Sequence, residues 1–172
     1  MIAQRVARSG VLGVMLLEVV LALAVTAVLC ALALSAYETH RIRAQITSSV
    51  GAADAARRKV EQAFARDGEP PADRRVADIS GGARDGQGEY VDSLDIVDGR
   101  IDLKFGSAAG AAISGHTLSL TPFETAAQQI VWVCGNRVPA PGLQPLGFAN
   151  GSRRSLQVLT NIQPRYLPSN CR

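Results

Sequence analysis

From Val19 to Tyr37 the chain reads VVLALAVTAVLCALALSAY, 19 residues without a charge. A helix of that length reaches roughly 28 Å at about 1.5 Å per residue, close to the ~30 Å hydrocarbon core of a bilayer. Core helices of water-soluble proteins seldom run so far without a polar face, so the segment reads as membrane-inserted. Arg5 and Arg8 precede it, and no acidic residue occurs before Glu18. Basic residues at the start of a span favour the cytoplasmic side and send the rest of the chain outward, while Arg41 and Arg43 beyond the span pull the other way.

Glu18 lies at the edge of this run, inside Leu16-Leu17-Glu18-Val19-Val20. A carboxylate at membrane depth costs a few kcal/mol or more unless it is paired, neutralised or near the interface, and the plain reading is a residue marking the membrane surface. Three processing readings compete. Ala31-Leu32-Ala33 offers small residues to a signal peptidase, although the run exceeds the about 7–15 apolar residues of a cleaved signal. Cys30 would suit a lipoprotein if a small residue preceded it, but Leu29 does. In the third reading Gly13 ends a short basic leader, followed by Val14-Met15-Leu16-Leu17-Glu18.

That last pattern, continued by an unbroken apolar helix closing in Ser35-Ala36-Tyr37, resembles a type IV prepilin. The resemblance implies a membrane aspartyl peptidase that cuts after Gly13 and methylates the new amine of Val14, leaving Glu18 as the fifth mature residue. It implies as partners other pilin subunits, that peptidase, the inner-membrane assembly machinery, and the inner membrane itself before assembly. A Val14 amine and a Glu18 carboxylate can neutralise each other across neighbouring helices, or within one helix as an i, i+4 pair. An out-of-register neighbour would leave a charge unpaired, so desolvation favours matched subunits. The chain departs from the family in having Val14 where phenylalanine is usual, and Ala27 and Ser35 where a glycine and a proline tend to stand. The implied division is a leader over residues 1–13, a membrane or filament-core helix over 14–37, and a periplasmic head over 38–172.

Beyond Tyr37 the helical pattern becomes amphipathic, with Ile42, Ile46, Val50, Ala53, Val60 and Phe64 recurring at spacings of three, four and seven. Asp67-Gly68 and Pro70-Pro71 end it. A single helix from about Val14 to Arg66 is expected, then a connecting loop over residues 67–88. Tyr90 to Val97 and Arg100 to Phe105 read as strands, and Asp98-Gly99 between them suits a type I′ turn. Leu118 and Leu120 mark a third strand. Gln129 to Cys134 is a fourth, whose run Ile130-Val131-Trp132-Val133 suggests burial on both faces. The expected fold is α+β: a long N-terminal helix, half transmembrane and half amphipathic, packed against a four-stranded antiparallel sheet with a C-terminal disulfide-closed loop.

Cys134 and Cys171 fall in the exported part and Cys30 in the span, so an oxidising compartment would bridge the first two. Closing that loop stabilises by roughly 4 kcal/mol in the chain-entropy estimate. Ile130-Val131-Trp132-Val133-Cys134-Gly135 with Arg165-Tyr166-Leu167-Pro168-Ser169-Asn170-Cys171-Arg172 is similar to the cysteine-closed ending of type IVa pilins, a loop that pseudopilins of type II secretion systems generally lack.

The chain of 172 residues, 47% hydrophobic and with a formal net charge of +3, is neither disordered nor a polyelectrolyte. It contains no GxSxG, HExxH, GxxxxGK[ST] or CxxC. His40 and His116 stand isolated, so no catalytic centre and no cofactor are expected. Asp85, Glu89, Asp92, Asp95, Asp98 and Asp102 crowd one stretch with only Arg100 against them, in a spacing that matches no calcium loop. After Glu124 no acidic residue occurs, while Arg137, Arg153, Arg154, Arg165 and Arg172 do. Solvated surface is the plain reading. Two sharper ones are a basic loop docking on the acidic hairpin of an adjacent subunit, and an arginine-rich tip on DNA phosphates. The leading expectation is a major or minor subunit of a type IV pilus serving adhesion, twitching motility or DNA uptake. It would be held in the inner membrane before assembly and be extracellular after it. The alternatives are a secretion pseudopilin and a single-span protein with a periplasmic binding head.

Overall fold

A computed structural model describes residues 3–81, 88–149 and 153–172, with side chains from Met15 onward apart from Ser35. The chain divides into two units, one ending at His40 and one spanning Arg41–Arg172.

The first unit is helical. It forms the N-terminal part of α1, Ala3–Ala52, in a stretch rich in Leu and Ala and free of proline. Every described side chain from Met15 to Leu34 is exposed, Leu16 and Leu34 at 69%. An apolar helix with no covering face is long and apolar enough to cross a membrane. Thr26 donates its hydroxyl to the Ala22 carbonyl at 2.8 Å, which satisfies it without water.

In the second unit the helix continues as expected to Asp67. One turn-like residue, Ala53, separates α1 from α2, Asp54–Asp67. Its N–H is shared between the carbonyls of Ser49 and Val50, both at 3.2 Å, just past the helix-weakening Gly51. Gly68, with φ 70, ends α2 by donating to the Phe64 carbonyl at 2.8 Å. Ile42, Ile46, Ala53 and Val60 are buried as the period requires, but Ala63 takes the core position expected of Phe64, which is left half-buried. Two polar residues share the buried stripe. Gln45 accepts the Gly110 N–H at 2.9 Å, and Ser49 donates to the Gln45 carbonyl at 2.9 Å.

The sheet consists of β1, Val91–Val97; β2, Arg100–Phe105; β3, Thr117–Glu124; β4, Ile130–Cys134; and β5, Gln144–Pro145. The first four form an antiparallel meander in sequence order, and the two-residue β5, absent from the expectation, pairs with the end of β3. Asp98 (φ 49) and Gly99 (φ 80) both take the left-handed conformation that a type I′ turn demands. The connecting segment does more than link. Pro71 and Ala72 accept the N–H groups of Gly99 and Asp98, at 2.8 and 3.2 Å, and Ala77 is fully buried in the core.

β3, not β4, is the strand buried on both faces. Its six central residues are all buried, whereas Val131 of β4 is 38% exposed. Leu118 and Leu120 point into the core shared with Ile42, Ile46 and Val60. Ser119 and Thr121 alternate with them along the strand and are buried as well, and the segment 155–162 runs beside this strand. That strap is tied down by Thr160 Oγ1 to the Thr117 carbonyl (2.6 Å) and by Gln157 Nε2 to the carbonyls of Gly135 (3.1 Å) and Arg137 (2.9 Å).

Candidate functional site

Glu18 interrupts an otherwise apolar exposed surface, with Leu17 at 68% and Val19 at 58% on either side. Its carboxylate therefore has hydrocarbon neighbours on its own helix and nothing polar beside it in sequence. Gly13 and Val14 are helical in the backbone, which puts Val14 one turn before Glu18; their side-chain environment lies outside the described residues. Cys30 is a free, exposed thiol on the same helix.

Cys134 and Cys171 are joined, with Cα atoms 4.5 Å apart and a sequence separation of 37. Cys171 is fully buried and its carbonyl accepts the Asn136 N–H at 3.0 Å, so the chain end is pinned beside β4. Arg43 adds a second clamp, donating Nε and Nη2 to the Arg165 carbonyl at 2.9 and 2.6 Å. This brings α1 against the disulfide-closed loop, a contact that no sequence period signals.

Three of the basic residues have partners of their own. Arg154 stacks on Phe148 at 4.9 Å from the ring centroid, and Arg165 on Tyr166 at 4.7 Å. Arg172 donates to the Leu167 carbonyl at 3.0 Å, while the exposed Arg137 and Arg153 sit elsewhere on the loop. The loop is also stitched to the hairpin of its own chain: Ser155 Oγ donates to the Asp98 carbonyl, and Arg100 Nη1 to the Leu156 carbonyl at 2.9 Å.

Arg100 meets Asp102 side-on, with Nε at 2.9 Å and Nη2 at 2.8 Å on separate carboxylate oxygens, and this pairing raises the guanidinium pKa above its usual value. The acidic stretch is thus partly neutralised from within. Asp85 lies outside the described residues, and among the described residues no group of three His, Cys, Asp or Glu could hold a metal ion. His116 is engaged with Asn161 at 2.7 Å, and His40 is exposed. The sequence reading missed Glu61, whose carboxylate accepts the Trp132 indole N–H at 2.7 Å. A lone tryptophan in an apolar strand is the signal that could have prompted a search for its acceptor.

Residues 42–172 match the family model for pilin, the bacterial filament protein. The chain is 27% identical over 161 residues to a type IV major pilin protein of Neisseria gonorrhoeae, covering 93% of this chain and 86% of that one. It is 26% identical over 168 residues to a fimbrial protein of Neisseria meningitidis serogroup A, covering 93% of each. A fimbrial protein of Eikenella corrodens is 27% identical over 160 residues, covering 93% of this chain and 90% of the relative.

Proposed function

The chain belongs to the pilin family of bacterial filaments, and from that premise we propose that it is the structural subunit of a type IV pilus, cleaved after Gly13, methylated at Val14 and polymerised through α1. The observation that carries this reading is the bare apolar surface from Met15 to Leu34, broken by one carboxylate at Glu18. Such a surface is stable in lipid or against copies of itself. Before assembly the subunit sits in the inner membrane with its head in the periplasm, and after assembly it is part of an extracellular fibre.

Removal of the leader frees the Val14 amine in the same apolar layer as Glu18. The amine of an incoming subunit then neutralises the Glu18 carboxylate of one already in place. A subunit displaced along the axis would bury two charges apart, so the pairing sets register more than it adds net stability. The prepilin peptidase and the assembly platform are the partners this requires. Family members are structural proteins, and catalysis forms no part of the proposal.

Mass spectrometry of the mature N-terminus and electron microscopy of a Glu18→Ala strain test it together. The expected result is an N-methylated Val14 in both strains and filaments in the parent only. Ordinary filaments built from correctly trimmed Glu18→Ala subunits of equal abundance would refute the pairing, and an intact leader would refute the processing.

A further inference from the structure

We propose that Arg41, Arg43 and Arg165 form a cationic collar that docks on the anionic phospholipid headgroups of the membrane from which α1 emerges. This rests on the reading that α1 is held in a membrane before assembly.

The apolar run ends at Tyr37, and α1 continues to Ala52. At about 1.5 Å per residue, Arg41 and Arg43 lie about 6 and 9 Å further along the helix. A headgroup layer is roughly 5–7 Å deep on each side of the hydrocarbon core, and helical side chains lean back toward the N-terminus, here toward the bilayer. Arginines on the exported side of a span run against the charge bias that orients such segments, so a local counter-charge is called for.

The head adds a third arginine. Arg43 donates Nε and Nη2 to the Arg165 backbone carbonyl, at 2.9 and 2.6 Å. That bond brings two cationic residues together and leaves Nη1 of Arg43 without a partner among the described residues. Arg165 is exposed, with its own guanidinium 4.7 Å from the centroid of the Tyr166 ring. Arg41 is exposed as well, and none of the three forms an ion pair among the described residues. Glu38, the one acidic residue on α1 after Glu18, is not paired with them either. The loop tied to α1 by the Gly110 N–H on Gln45 has no charged residue from Gly106 to Gly115. Nothing acidic there competes for the collar.

Geometry selects a headgroup layer over a discrete anion. Arg41 and Arg43 are two positions apart, about 200° around the helix, so they face opposite sides. One phosphate cannot reach both, and a neighbouring subunit packed on one side leaves the other unmet. A layer of headgroups surrounds the helix and meets both. Guanidinium groups suit it, because they bind phosphate through two parallel N–H bonds.

Electron paramagnetic resonance on the full chain in lipid nanodiscs tests this, with spin-labelled phosphatidylglycerol and phosphatidylcholine as probes. The parent should prefer phosphatidylglycerol by about 3–10-fold, and the preference should fall as salt is raised. Arg41→Gln with Arg165→Gln should lower it about 3-fold or more. The clamp on the Arg165 carbonyl survives that pair of changes, because it uses the backbone. Arg137→Gln with Arg153→Gln removes the same charge from other exposed positions and should leave the preference unchanged. Cys30, a free thiol in the span, reports insertion through its protection from a water-soluble maleimide. Ready labelling of Cys30 would overturn the membrane reading and this proposal together. With Cys30 protected, three results overturn the proposal alone: equal affinity for both lipids, equal losses in the two variant pairs, or an unchanged preference in Arg41→Gln with Arg165→Gln. If the last of these comes with loss of filaments in cells, the collar serves a neighbouring subunit instead.

Discussion

The indole N–H of Trp132 donates to the Glu61 carboxylate at 2.7 Å, and the Arg57 guanidinium lies 5.7 Å from the same ring. β4 is thereby registered against α2 by a polar contact at the margin of an apolar core. Trp132→Phe keeps most of the packing but strands the partly desolvated carboxylate, so it should cost about 1–2 kcal/mol. Trp132→Ala also opens a cavity and should cost about 3–5 kcal/mol. Urea unfolding of the full chain in micelles measures both. Glu61→Ala combined with Trp132→Phe should cost less than the two single changes added together, since each alone removes the same bond.

The Cys134–Cys171 bridge closes a loop with 37 residues of sequence separation, for which chain entropy gives about 4 kcal/mol. The strap beside β3 lies wholly inside that loop, and it is tied by side chains such as Thr160 and Gln157 rather than by a strand ladder. Reduction, or the paired change of both cysteines to serine, should lower the urea midpoint accordingly. Amide exchange should then accelerate first at Thr160 and Ile162, where the bonds hold the strap, and least in β2.

These two contacts mark where the sequence was informative and where it was not. The long helix and the Asp98-Gly99 hairpin were legible because each is a local signal: an uncharged run in one case, a dipeptide suited to positive φ in the other. The bridge was legible from compartment alone. Burial along β4 was misread because Ile130 to Val133 is as apolar as a doubly covered strand. Burial is set by chain that a strand's own sequence does not contain: β3 is buried along its six central residues and β4 is not, and segment 155–162, more than twenty residues downstream of β4, is tied to β3 at the Thr117 carbonyl. Gln45 meets Gly110 across 65 residues, and Trp132 meets Glu61 across 71, so neither pairing has a period to betray it. The arginines after Glu124 looked like one basic tip in sequence. In the fold three of them have partners of their own: Arg154 lies on Phe148, Arg165 on Tyr166, and Arg172 donates to the Leu167 carbonyl.

Asp73 organises the segment between α2 and β1. Its Oδ1 accepts the backbone N–H groups of Arg75 at 2.8 Å and Val76 at 3.0 Å. The Val76 amide is the chief cause that holds this carboxyl below the usual aspartate range; partial desolvation opposes it, and the Arg75 amide and guanidinium add to it. With the folded value depressed, the stabilisation is complete above the unfolded-chain value of about 3.9 and is lost as pH falls through the folded value. Carbon-detected NMR titration should therefore place the Asp73 midpoint below that of an ordinary aspartate. Protection of the Val76 and Ile79 amides, taken relative to the unstructured exchange rate at each pH, should fall on acidification, and Asp73→Asn should remove that pH dependence.

Arg100 carries the strongest electrostatic expectation. The strand register sets Asp95 directly opposite Asp102, two carboxylates on one face of the sheet, and Arg100 forks onto Asp102 while donating its third N–H group to the strap at Leu156. Both partners of the pair are largely buried, at 13% and 19% side-chain exposure, so water cannot replace the guanidinium fully. Arg100→Gln should cost about 2 kcal/mol, because it leaves a partly buried carboxylate facing a like charge and frees the Leu156 carbonyl. Arg100→Lys should recover only part of this, since an ammonium cannot span two carboxylate oxygens and the strap together. The cost of Arg100→Gln should shrink as salt is raised, and adding Asp102→Asn should restore most of the loss. A packing defect would respond to neither, so unfolding measured at low and high salt distinguishes a charge bridge from a mere space-filling side chain.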